Sequence, residues 1–331
     1  MSASTFRMHR AIPGAARTDS ETAHPGAGVL VVQPLTTTVP KELVHRASVA
    51  EVMLTDWARR DDHRFTVAAQ WPRGHSFFTA VDGCHDPLIA LETIRQTGLL
   101  LAHAEYGVPI GHHFLVSEIS VAVRPPHVRL AQTPASLELH VACRDVKQRG
   151  TTVGGFRIEV EIYRDGHLAA TGGGTQTCIT PRIYQRLRTA RSTGTGTGQV
   201  LALTAPEPPQ TVGRMSPMDV VLSPLGEPGR WQLRVDTRHP ALFDHQVDHV
   251  PGMVLLEAAR QAATATLGHT SLPLTVTGEF LHYVELDTPC TIQARTTPAP
   301  GPNGTRTVHV SARQNRTTVF RCTLTMAPPL T

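Results

Sequence analysis

One pattern occurs twice in this chain and limits its fold more than any other feature. The alternating segment RFTVAAQW, Arg64 to Trp71, leads to His75; ten residues later His85 precedes Pro87 and a helical stretch carrying Glu92, Arg95 and Gln96. The segment RWQLRVDT leads likewise to His239; again ten residues on, His249 precedes Pro251 and a helical stretch carrying Glu257, Arg260 and Gln261. Shared order and near-identical spacing identify an internal duplication. The 331 residues therefore read as two copies of one unit, each with its own helix.

After each helix the apolar period changes to that of strands. HHFLVSEISVAV, ASLELHVACRDV and FRIEVEIYRDGHLAATGGGTQTCI follow the first, with Asp165-Gly166 as a hairpin turn. LTVTGEFLHYVEL, CTIQARTTP and RTVHVSARQNRTTVFRCTLTMA follow the second, with Asn303-Gly304 as a turn signal. Each repeat is then one long helix and an antiparallel meander, an α+β arrangement. A helix from Pro251 to Leu267 is about 25 Å long at roughly 1.5 Å per residue. It is apolar on most sides, which suits a helix wrapped by a curved sheet.

Residues 1–28 are polar and aperiodic and predict a disordered or loosely attached tail. Residues 29–188 form the first repeat, 189–213 a flexible Thr-Gly and Pro-rich linker, and 214–331 the second repeat. The TGTGTG run lacks the strand–glycine–helix context of a phosphate loop.

Composition removes several classes of function. The net charge is only +4, Lys41 and Lys147 are the only lysines, and no basic block occurs, so a nucleic-acid tract is not expected. The five cysteines are odd in number and never form a C-x-x-C pair, which fits a reducing, cytoplasmic setting without disulfides or structural zinc. No signal peptide is expected, because the N-terminal stretch has no continuous apolar segment, and no membrane span, because no run of about 18 apolar residues occurs. No cofactor or metal is expected either.

Positions i, i+3 and i+4 share a helix face. Glu257, Arg260 and Gln261 therefore point one way, as do Glu92, Arg95 and Gln96. The plain alternative is a surface ion pair worth a few tenths of a kcal/mol. The apolar flanks and the recurrence favour a buried site instead, since burying an unpaired charge costs several kcal/mol. Gly252 opens the second helix, where free N–H groups suit a thioester oxygen or a phosphate. An acid, a cation and N–H donors together make acyl transfer plausible. Cys84 reads as a buried filler, and Asp86 as a group that could cap the following helix.

HVPGMVLLEAARQAA resembles the central-helix motif of hotdog-fold hydroxyacyl-carrier-protein dehydratases, and GHSFF weakly resembles their loop. A closer resemblance is to the A-factor biosynthesis (AfsA-type) family of γ-butyrolactone synthases. It rests on VPKELVHRASVAEVMLTDW, HSFF, HDPLIALETIRQ, GVPIGHHFLVSEI, RIYQRLR and LRVDTRHPALFDHQVDHVPGMVLLEAARQAA, in order from about Val39 onward. The resemblance implies a double hotdog, two tandem repeats each with a central helix wrapped by an antiparallel sheet. It implies an acyltransferase that joins a β-ketoacyl group, carried on acyl-carrier protein, to dihydroxyacetone phosphate. The products feed butyrolactone-type or furan-type signals that control antibiotic production. Glu92, Glu257 and Arg260 carry over by motif as catalytic candidates. His75, His239 and His249 join them, and Arg95, Gln96, Gln261, Gly252 and His85 are expected to bind substrate. Either carboxylate could be the base on the hydroxyl, and Arg260 could hold phosphate or orient the carboxylate. Both half-loops depart from the dehydratase pattern, so plain dehydration is not the first reading. The alternatives are a hotdog dehydratase or thioesterase, and a non-catalytic binder of acyl or lactone ligands. The chain could act as a monomer, its repeats forming an internal pseudo-dimer, or as a homodimer.

Overall fold

A computed structural model describes residues 37–150, 152–192 and 200–328, with the side chains of 190–192 left aside. The expected tail at residues 1–28 lies outside the described residues, as does the run 193–199. The first repeat holds β1 (Leu54–Arg59), β2 (Arg64–Trp71), α1 (Pro87–Ala104), β3 (His113–Val123), β4 (Ala135–Arg149), β5 (Thr152–Arg164) and β6 (His167–Ile179). Helix α2 (Pro181–Ser192) follows. The second repeat holds β7 (Leu222–Pro224), β8 (Arg230–Leu233), α3 (Gly252–Leu267), β9 (Pro273–Phe280), β10 (Cys290–Thr296), β11 (Arg306–Gln314) and β12 (Thr317–Met326).

All twelve strands form one sheet, in the order β1-β2-β4-β5-β6-β3-β9-β12-β11-β10-β8-β7. Counted inward from either end, the two halves have the same connectivity. They meet where β3 pairs antiparallel with β9, from Glu118 opposite Glu279 to Ala122 opposite Thr275. Each repeat thus covers the strand edge the other would expose. This is the double hotdog expected from the sequence.

Local chemistry explains the elements. Asp165 and Gly166 both have positive φ, 51° and 75°, the backbone of a two-residue hairpin whose twist matches its strands. Helix α1 starts on a carboxylate cap, with Asp86 accepting from the Leu88 N–H at 2.9 Å and Pro87 at the first helical position. The helix is buried on nearly all sides. Thr93 and Thr97 tolerate this because their hydroxyls return to the carbonyls of Ile89 and Thr93 at 2.7 and 2.8 Å. Gly172 of β6 allows the close approach, since a Cβ there would stand 2.7 Å from Ile94. Helix α3 ends in the left-handed Gly268, φ 75°.

Of the stretch 189–213, the first four residues continue α2. Residues 200–213 run along the second repeat. Leu201 donates to the Leu286 carbonyl at 3.0 Å, Glu207 donates to that of Leu222 at 2.9 Å, and the Trp231 indole donates to the Glu207 carboxylate at 2.9 Å. All five cysteines are buried free thiols. No helix among the described residues is long and apolar enough to cross a membrane.

Candidate active site

The two glutamates lie side by side with their arginines and glutamines, as the helix period requires, and each is fully buried. Glu92 accepts from Arg95 at 2.8 and 2.7 Å, from Gln96 at 2.6 Å and from Arg46 at 3.1 Å, with a second Arg46 nitrogen at 2.7 Å. Glu257 accepts from Arg260 at 3.0 and 2.5 Å, from Gln261 at 2.5 Å and from Arg214 at 2.8 Å, with a second Arg214 nitrogen at 2.7 Å. Burial alone would push both carboxyls up. The paired guanidiniums overcome it and hold each at about 2. A carboxylate so deprived of free lone pairs is a poor general base. Each carboxylate holds two arginines in place.

Arg46 and Arg214 escaped the motif reading, although a signal existed. Both stand in R-x-S-x-x-(Glu/Asp)-V, as RASVAEV and RMSPMDV, upstream of the region where the repeats are most alike. Gln96 and Gln261 tie that upstream turn to the helix. Gln96 donates to the Glu51 carbonyl at 2.7 Å and accepts from Met53 at 2.9 Å. Gln261 repeats this with Asp219 and Val221 at 2.7 and 3.0 Å.

His75 and His239 hold loops. Nδ1 of His75 accepts from the N–H groups of Phe77 and Phe78 at 3.1 and 3.2 Å. Nδ1 of His239 accepts from Ala241 and Leu242 at 3.2 and 3.1 Å. With Nδ1 an acceptor, the proton belongs on Nε2. That nitrogen faces Glu51 at 3.5 Å in one repeat and Asp219 at 3.1 Å in the other. Each loop is gripped by the opposite repeat: Arg214 donates to the Phe77 carbonyl at 2.5 Å, and Arg46 to that of Ala241 at 3.0 Å.

The pseudo-symmetry breaks at the cavity. A space of ≈ 1610 Å³ opens beside the first cluster, and Arg46 and Arg95 line it; Arg260, Glu257 and Gln261 do not. The Arg95 side chain is 23% exposed and that of Arg260 only 3%. The second cluster is sealed by the start of α1, where the buried cap Asp86 lies in the field of Arg260 and Arg214. The start of α3 is different. Its cap is Pro251, with no side chain on the free N–H groups, and Gly252 borders the cavity. A Cβ at Gly252 would stand 3.0 Å from the Phe280 ring. Asp244 joins the first cluster from the second repeat, accepting from the N–H groups of Ala47 and Ser48 at 2.5 and 3.0 Å.

His249 lines the same cavity, bonded to Asp248 at 2.8 Å and packed edge-on to Tyr283. Burial lowers its pKa against the pull of Asp248. His85 does not line the cavity. It is buried beside Trp71, and burial pushes it down to about 4. Five further histidines do line it: His45, His112, His113, His245 and His282. They come from four separate segments of the chain, with only His112 and His113 adjacent, so no sequence period announces them.

The sequence profile of the AfsA family, described as the A-factor biosynthesis hotdog domain, matches the chain twice, at residues 31–180 and 197–328. The chain is 53% identical over 289 residues to a Streptomyces virginiae protein named 2-oxo-3-(phosphooxy)propyl 3-oxoalkanoate synthase, covering 87% of this chain and 97% of that one. A Streptomyces coelicolor protein of the same name is 41% identical over 288 residues, covering 86% and 90%. Among solved structures, an acyl-ACP thioesterase from Bacteroides thetaiotaomicron is similar at a TM-score of 0.47 and 9% identity, covering 79% of this chain and 97% of that one.

Proposed function

This chain belongs to the AfsA family of A-factor biosynthesis hotdog proteins, and from that premise we propose that it is an acyltransferase. It moves a β-ketoacyl group from a thioester to a hydroxyl of dihydroxyacetone phosphate, making a 2-oxo-3-(phosphooxy)propyl 3-oxoalkanoate. One observation carries this reading: a single half-site opens onto a large cavity, and the opening shows a guanidinium with unused donors.

Arg95 spends Nε and Nη2 on Glu92 and the Val44 carbonyl, and its Nη1 carries no hydrogen bond among the described residues. It is held rigid by the buried carboxylate while one edge faces the cavity, an arrangement suited to a phosphate oxygen. Apolar walls from Ile94, Leu99, Met253, Leu255 and Leu256 supply a place for an acyl chain. The uncapped start of α3 supplies N–H groups for the thioester carbonyl, whose oxygen gains negative charge as the acceptor attacks. The cavity exceeds the ~300–1,000 Å³ of ordinary ligand pockets, in keeping with two substrates held together.

The donor arrives on acyl-carrier protein. Around the cavity, Leu187 and Leu281 are large exposed apolar side chains, and Arg182 and Arg186 are exposed on α2 beside Leu187. Basic residues around an apolar patch suit an acidic carrier that must insert a thioester arm. Both repeats build the site, so one chain is sufficient for it.

The test is purified protein with a β-ketoacyl-carrier thioester, with and without dihydroxyacetone phosphate. Thiol release that depends on the phosphate, with the ester found by mass, is the expected result. Release without it would mark a thioesterase, and no release a binding protein.

A further inference from the structure

His45 and His103 form a chain of hydrogen bonds that ends at the cavity. The Val108 carbonyl lies 2.7 Å from His103 Nδ1. A carbonyl only accepts, so His103 Nδ1 carries the proton, and in a neutral ring Nε2 is then an acceptor. His45 Nε2 lies 2.9 Å from His103 Nε2, so it must donate. The proton of His45 is therefore on Nε2, and its Nδ1 keeps a free lone pair, with no hydrogen bond among the described residues. Burial holds both imidazoles in the neutral form. His45 is pushed down to about 3 by burial and then by His103, Arg95, His245 and His113, which face it; burial lowers His103 as well. Phe114 braces both rings edge-on, at 5.3 and 5.2 Å between centroids.

Comparison of the repeats shows that the relay is specific to the open half. His45 ends a 3-10 turn in the left-handed region, φ 51°. The matching turn in the second repeat ends in Gly213, φ 69°, which adopts that backbone without strain. His103 stands eleven residues beyond Glu92, and eleven beyond Glu257 stands Gly268. The sealed half has glycine at both relay positions. The open half keeps a strained histidine bordering the same cavity as Arg95, and strain of this kind gathers at functional sites.

We propose that His45 is the general base of the transfer, and that His103 is the positioning residue that fixes its tautomer. The proposal rests on the acyl-transfer reading. The acceptor hydroxyl gives its proton to His45 Nδ1 as its oxygen bonds to the thioester carbonyl carbon. The resulting tetrahedral centre collapses, the C–S bond breaks, and the departing sulfur takes the proton back from the imidazolium. Ester and free thiol leave, and His45 returns to its starting state. The phosphate held by Arg95 brings negative charge near the ring, which favours its protonated form at the moment it is needed.

The test uses His45→Gly, which copies the second repeat and relieves the left-handed strain, offsetting the lost ring contacts, so the variant should stay folded with a thermal midpoint close to that of the parent. Phosphate-dependent thiol release should fall roughly 10²–10⁴-fold, with binding of an unreactive thioether analogue of the donor unchanged and with partial rescue by added imidazole. His103→Phe should lower kcat rather than raise KM, and show no imidazole rescue. Nitrogen NMR of the parent, with His45 assigned by the glycine variant, should show an unprotonated Nδ1 at neutral pH. Full transfer by His45→Gly, or a protonated Nδ1, would overturn the proposal. A parent that transfers to no acceptor would overturn the substrate reading instead, and the ring measurement would then decide the relay by itself.

Discussion

Arg46 Nη1 donates to the carbonyl oxygen of Ala241 at 3.0 Å, across the repeat boundary, while the rest of its guanidinium holds Glu92. One side chain thus ties the upstream turn of the first repeat to its helix and to the histidine loop of the second. Arg214 and Phe77 repeat the link in the opposite sense. The open site is assembled by the same contact that joins the halves.

Truncating Arg46 should therefore unfold the protein before it informs on catalysis. Arg46→Ala leaves a fully buried carboxylate with one guanidinium fewer, and breaking such a pair costs about 3–5 kcal/mol. Urea melts should show the loss. Arg46→Lys should recover little of it, because an ammonium cannot reach carboxylate and carbonyl in fork geometry.

Acid should loosen the fold through the same clusters. Glu92 and Glu257 stand at about 2 when folded, below the roughly 4.3 of a free glutamate. Depressed folded values mean stability that is complete above the unfolded pKa and lost as pH falls through the folded one. Denaturant midpoints should decline between about pH 4.3 and 2. A Glu92→Gln, Glu257→Gln double variant should be less stable at neutral pH and flatter across that interval.

Arg95 and Arg260 occupy equivalent helix positions and should respond differently. Arg95→Ala removes a group that faces the cavity, so KM for dihydroxyacetone phosphate should rise roughly 10- to 150-fold, the worth of a charge-assisted hydrogen bond of about 1.5–3 kcal/mol. Arg260→Ala should lower the melting temperature and leave that KM near its parent value. Equal KM effects from the two would show that the open half-site is not the one in use.

Arg186→Glu should separate the carrier from the acyl group. Placing an acid on α2 repels an acidic carrier and slows its encounter. KM for the carrier-bound donor should rise about tenfold, a change of ~1.4 kcal/mol. KM for a short pantetheine thioester should not move. Equal shifts for both donors would place the effect in the cavity instead of at its rim.

Much of the architecture was legible from residues alone. The alternation in RFTVAAQW corresponds to β2, the Asp165-Gly166 turn to the β5–β6 hairpin, and the E-x-x-R-Q triplets to α1 and α3. Burial of the triplets followed from their apolar flanks for every member except Arg95, whose side chain is 23% exposed at the cavity. The chemical state of Glu92 and Glu257 did not. A sequence displays a carboxylate but not every donor around it: the helix period brings in the arginine and glutamine of each triplet, but Arg46 and Arg214 arrive from a separate upstream turn. His75 and His239 were likewise visible as repeated residues, while the loop N–H groups that occupy their Nδ1 atoms were not.

By itself, then, the sequence determined a duplicated helix-and-sheet unit, an acid–arginine–glutamine cluster around a buried glutamate in each copy, and the family to which both copies point. The first two depend on periodicity and spacing along the chain and the family on the resemblance of its motifs, all of which a string of residues carries in full. Only the tertiary structure decided which copy opens. That depends on what stands across from each helix start: Asp86 faces one arginine pair, whereas Pro251 leaves the other helix start uncapped. Opposing groups of that kind come from distant chain segments, so their meeting is settled by packing and not by order along the chain.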